Sequence, residues 1–161
     1  MKRLLKKLLI GVFTCVTVLL ALPILFPAST SPLETSWESP QTGAKITIQL
    51  TQTHPFLAEY ERKLVFRTPD GVKIEQLLFP DPGGYVRTQL YRASDEVLYL
   101  KGYFDLARLS AVDKNVSRAG QKLPEDAVYL GAFDFDKNAS RQWRFLPSSE
   151  SPEQPLVPQG G

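Results

Sequence analysis

Apolar and polar residues change rhythm along this chain. From Leu8 to Phe26 runs LLIGVFTCVTVLLALPILF, nineteen residues without a charge. From about Ala44 to Pro147 apolar residues alternate with polar ones. Between and after these stretches, Pro, Ser, Thr and Glu dominate, as in PASTSPLETSWESPQTG and SSESPEQPLVPQGG.

The alternation predicts strands. In KITIQLT, Ile46, Ile48 and Leu50 share one face, and Lys45, Thr47 and Gln49 the other, the period of a half-buried strand. Pro69, Asp70 and Gly71 are turn formers and predict a hairpin joining Glu61–Arg67 to Val72–Phe79. After the turn cluster PDPGG, the stretch YVRTQLYR puts Val86, Thr88 and Leu90 on one face. EVLYLKGYF follows as another strand. AVYLGAFDF and RQWRFL flank DKNAS as a closing hairpin, with Trp143 and Phe145 on one face of its second arm. Residues 104–126 are ambiguous. Leu106, Leu109 and Val112 suit a helix, whereas Ala107, Leu109 and Ala111 suit a strand.

The expected fold is therefore all-β: a small antiparallel meander, sandwich or barrel, with one short helix as an option. It is preceded by a single N-terminal transmembrane helix. The divisions are a basic segment 1–7, a membrane anchor 8–26, a stalk 27–43, a β-domain 44–147 and a disordered tail 148–161.

The apolar run is long enough to cross a bilayer. Nineteen helical residues span about 28 Å, against a hydrocarbon core of about 30 Å. Lys2, Arg3, Lys6 and Lys7 precede it, and Glu34 is the first charge after it. The positive-inside rule then places the N-terminus in the cytoplasm and the domain outside it, in the periplasm if the cell is Gram-negative. A cleaved signal peptide has a shorter apolar region and small residues at the cut. Here a cut after Ala28 would place Phe26 where a small residue belongs, so a retained signal anchor is the expectation.

This topology alters the charge balance. The chain carries nineteen basic and seventeen acidic residues. Four of the basic ones precede the run, so the remainder holds fifteen against seventeen, a net −2. A nucleic-acid partner is not expected, because its footprint is a basic patch.

Few residues suggest chemistry. Cys15, the only cysteine, lies inside the apolar run, so the exported domain has no internal disulfide. His54, the only histidine, sits in a polar loop with no nucleophile in evident reach. Asp134, Asp136, Asn138 and Ser140 begin like a calcium loop. Ala139 stands where that loop needs glycine, and Phe145 where it needs glutamate. Gly83-Gly84 lacks the setting of a phosphate loop. Asp95-Glu96 and Glu125-Asp126 are adjacent pairs that a strand would point to opposite faces. Asn115-Val-Ser and Asn138-Ala-Ser are glycosylation sequons. No catalytic, cofactor-binding or metal-binding residue is assigned, and no enzymatic activity is expected.

One pattern stands out. Tyr85, Arg87, Gln89 and Tyr91 share a strand face, and Tyr99, Lys101 and Tyr103 follow on the next strand. Tyr- and Arg-rich faces are common at protein interfaces. The sequence thus reads as a membrane-anchored extracytoplasmic β-domain with a protein-binding or structural role in the cell envelope. Its expected partners are the membrane, through residues 8–26, and an envelope protein, through Tyr85, Arg87, Gln89 and Tyr91. The alternative is a β-barrel that binds a lipid or small apolar ligand.

Overall fold

A computed structural model describes residues 31–157, apart from 55, 94–96 and 121. The predicted transmembrane helix lies outside the described residues, and so do Asp95 and Glu96.

The described residues form ten strands in two antiparallel sheets, without a helix. The first sheet holds β1 (Leu33–Glu38), β2 (Lys45–Gln52), β3 (Tyr60–Arg67) and β4 (Lys73–Leu77), in that order. The second is built from β5 (Thr88–Arg92), β6 (Leu98–Lys101), β7 (Leu106–Ser110), β8 (Asn115–Arg118), β9 (Val128–Asp136) and β10 (Gln142–Pro147). Its order is β10-β9-β5-β6-β7-β8. The segment 119–127 therefore carries the chain back past three strands, so that β9 pairs with β5. β1 lies beside β10 and β4 beside β8, so the two sheets meet along both edges.

The alternation seen in the sequence fills the space between the sheets. Ile46, Ile48, Leu64 and Phe66 come from the first sheet, and Leu90 and Phe133 from the second. All six are fully buried. Their removal from water is the main stabilising term. Trp143 joins them and donates from its indole N–H to the Ile48 carbonyl, 3.3 Å away, while Phe145 packs at the margin of the same cluster.

Three sequence expectations change here. Residues 33–38, expected in a stalk, form β1. Trp37 packs against Phe145 with ring centroids 6.0 Å apart, and the Ser36 and Thr47 hydroxyls share a hydrogen bond of 2.8 Å. Pro32 and Pro40 bound an edge strand, where proline is tolerated. The short helix is absent from 104–126 among the described residues. β7 and β8 form a hairpin there, closed by Lys114 at φ 49°. Ala107 and Leu109 point inward, and Val112 stays in solvent at the turn. Residues 148–157, expected to be disordered, lie folded against the second sheet.

A buried cation ties the sheets together at one end. Arg62, on β3, is 1% exposed. Its guanidinium donates to the Phe79 carbonyl (3.1 Å), to Thr88 Oγ1 at the start of β5, and to Asp105 (3.5 Å) in the β6–β7 loop. Asp105 in turn accepts from the Phe79 N–H at 2.7 Å. Burial pushes the Arg62 guanidinium below its ordinary value, while Asp105 and Asp81 pull it back up. Gly102 is required beside this group, since a Cβ there would lie 3.0 Å from the guanidinium and run into Asp105.

Candidate functional site

Beyond Pro147 the chain turns back over the second sheet. Both Glu150 and Ser151 donate their N–H to the Pro147 carbonyl at 2.9 Å, which closes a tight turn. Residues 151–156 then run across the outer face of β9 and β5 as an extended strap. Pro152 and Pro155 favour that conformation because their rings fix φ.

The strap is held largely through its main chain. Tyr129, on β9, donates its hydroxyl to the Ser151 carbonyl at 3.0 Å. Arg87, just before β5, donates to the Pro152 carbonyl at 2.9 Å and from both terminal nitrogens to Ser151 Oγ at 3.1 Å. Gln89 Nε2 donates to the Gln154 carbonyl at 3.0 Å, and Gln89 Oε1 accepts from the Gln154 N–H at 2.8 Å. Tyr91 donates to the Glu153 carboxylate at 2.8 Å. Leu156 is buried at the far end of the strap.

These side chains also order one another. Asp134 anchors Arg87 with an ion pair of 2.8 Å. Arg87 Nε donates to Gln89 Oε1 at 3.4 Å, and Gln89 Nε2 donates to the Tyr91 hydroxyl at 2.8 Å. The Tyr91 and Tyr129 rings pack with centroids 5.5 Å apart. Burial raises the Tyr91 hydroxyl above its ordinary value, and the neighbouring Glu153 carboxylate raises it further. Tyr129 is also raised by burial, against the opposing pull of Arg87.

Of the four residues predicted on this face, the structure brings three together. Tyr85 is elsewhere: its N–H is held by Asp81 at 2.8 Å, and its ring packs on Tyr103 and Phe104. The other three are not open to solvent. Gln89 is 0% exposed, with Arg87 and Tyr91 also buried. The sequence does not single out Tyr129 or the strap, and it places Asp134 in a calcium-like run, whereas the structure makes it the partner of Arg87. The only hint of the strap was Leu156, an apolar residue set between prolines.

The remaining candidates have ordinary roles. Asp136 accepts from the Asn138 N–H at 2.8 Å and pairs with Arg144, and these contacts hold its carboxyl below the usual range. His54 is exposed, and its ring accepts from the Phe56 N–H at 3.2 Å. Asn115 and Asn138 are exposed at strand and turn. Among the described residues no group of His, Cys, Asp and Glu side chains could hold a metal ion. An open cleft of about 650 Å³ adjoins Leu156, lined by Phe79, Lys101, Tyr103, Phe104 and Arg118 among others.

No known protein family, curated protein or solved structure matches this chain.

Proposed function

We propose that the protein is a membrane-anchored, extracytoplasmic β-sandwich with a protein-binding role in the cell envelope. In this reading the face formed by Arg87, Gln89, Tyr91 and Tyr129 grips an extended chain. The single observation that carries it is the way the strap is held. Ser151, Pro152 and Gln154 are engaged through main-chain groups that any extended peptide offers. Recognition of this kind fixes a backbone, and the Ser151, Glu153 and Leu156 side chains add contacts of their own.

Seven hydrogen bonds and one buried leucine hold the strap without any covalent link to the face. An extended partner segment that makes the same main-chain contacts would compete with it.

The alternative of an apolar-ligand barrel has less support, because side chains from both sheets occupy the interior. The test is cross-linking of the full-length protein in its membranes, with and without the strap. Removal of residues 149–161 is expected to raise partner recovery, and adding Arg87→Ala to that truncation to abolish it. Equal recovery in all three forms would overturn the reading.

A further inference from the structure

The exposed apolar side chains are unevenly placed. Among the described residues, the exposed leucines and phenylalanines are Leu33, Phe56, Leu57, Leu77, Phe79 and Phe104. The strand registers put all six toward one end of the sandwich. Leu33 lies opposite Leu50 and Gln52 opposite Tyr60, so the 53–59 loop stands beside the start of β1. Leu77 lies opposite Lys63, and the chain after it runs on beside β3 until Asp81 bridges Tyr60. The 102–105 loop joins this end through Asp105 and Arg62. Among the described residues, the large apolar side chains exposed at the turns of the opposite end are valines, Val72, Val112 and Val128.

Two features make this end more than a scatter of surface residues. Phe56 is 89% exposed at a loop tip. Phe79 and Phe104 come from different loops and pack against each other, tilted by 40° with centroids 5.0 Å apart, while both remain exposed. Such a concentration marks an interaction surface.

Connectivity indicates what covers it. The chain enters the domain at this end, at Leu33, and six residues, 27–32, separate that point from the apolar run 8–26. Six extended residues reach at most about 20 Å. We propose that this end of the sandwich faces the lipid bilayer, and that Phe56 and Leu57 enter the boundary between headgroups and acyl chains, with Phe79 and Phe104 at the same surface. The inference rests on residues 8–26 being a retained anchor. Given that anchor, the tether keeps this end within about 20 Å of the membrane, and phenylalanine and leucine are the residues that the headgroup boundary accepts.

The test uses the full-length chain in protein-free phosphatidylcholine liposomes. Cys15→Ser removes the native thiol. Phe56→Cys then places an environment-sensitive fluorophore at the rim, and Val112→Cys places it at the opposite end. Both side chains are largely exposed and lie outside the core, so neither label disturbs it. The expected result is a blue-shifted spectrum, quenched by spin-labelled lipid, at position 56 and not at 112. Equal, water-like spectra at both sites in a chain that resists carbonate extraction would overturn this inference alone. A chain washed off by carbonate would overturn the anchor and the inference together.

Discussion

Gln89 and Gln154 exchange two hydrogen bonds, the side-chain amide of one with the N–H and carbonyl of the other, at 2.8 and 3.0 Å. The pair reproduces a step of β-ladder pairing with a side chain in place of a strand. It fixes the register of the strap over β5, and Gln89 also steadies Arg87 and Tyr91 from the same position.

Gln89→Leu keeps the volume and removes these bonds. The Gln154 main chain and the Tyr91 hydroxyl then lose a partner, which should cost about 2–3 kcal/mol. Urea unfolding reads the loss. Hydrogen exchange at the Gln154 amide should accelerate as well, reporting release of the strap. Unchanged exchange would show that the strap is held from elsewhere.

Replacing Arg87 and Tyr91 would be a clean surface test only if they were exposed. Because both are buried under the strap, Arg87→Ala should lower stability by about 3 kcal/mol by leaving Asp134 without its cation. A melting temperature equal to the parent would contradict the burial described here.

Arg62→Ala should cost about 3–5 kcal/mol, because it strands Asp105 in a largely buried setting. Arg62→Met combined with Asp105→Asn removes both charges and should recover most of that loss. If the double variant is no better than the single one, Arg62 acts through packing and its ion pair contributes little.

Stability should fall in alkaline solution. Folding raises the Tyr91 and Tyr129 hydroxyls above their ordinary value of about 10. The folded state thus holds these protons more tightly than the unfolded chain. Their contribution is complete below pH 10 and is lost as pH rises through the raised folded values. Denaturant midpoints from pH 8 to 11 should decline above 10, and Tyr91→Phe should flatten the decline. A slope that persists unchanged in the variant would assign it to other groups.

Much of the sandwich is legible in the sequence because its strands alternate. β2, β3, β9 and β10 fall where apolar residues recur at every second position, as in Ile46, Ile48 and Leu50, Leu64 and Phe66, Phe133 and Phe135, and Trp143 and Phe145, while the turn at Pro69 to Gly71 marks β4. β1 is not legible, since LETSWE sits between prolines and has only Trp37, itself half-buried, as an apolar anchor against the core. β7 is ambiguous because Leu106 and Leu109 satisfy both periods, and only the neighbouring strands decide between them. The site is half legible. Alternation places Arg87, Gln89 and Tyr91 on one face, but composition alone cannot show that SPEQPL covers it. Its prolines and glutamate look like disorder until the carbonyls find donors on another strand.

The most direct test of the account is whether the face binds an extended peptide in trans. A chain ending at Ser148, kept in nanodiscs with its N-terminal segment, is titrated against a fluorescent peptide of residues 149–157 and read by polarisation, with cooperative melting as the check on folding. Binding is expected to be saturable and to weaken at least about tenfold with Arg87→Ala, the loss of roughly 1.4 kcal/mol or more. A truncated chain that melts cooperatively yet binds no peptide would contradict it.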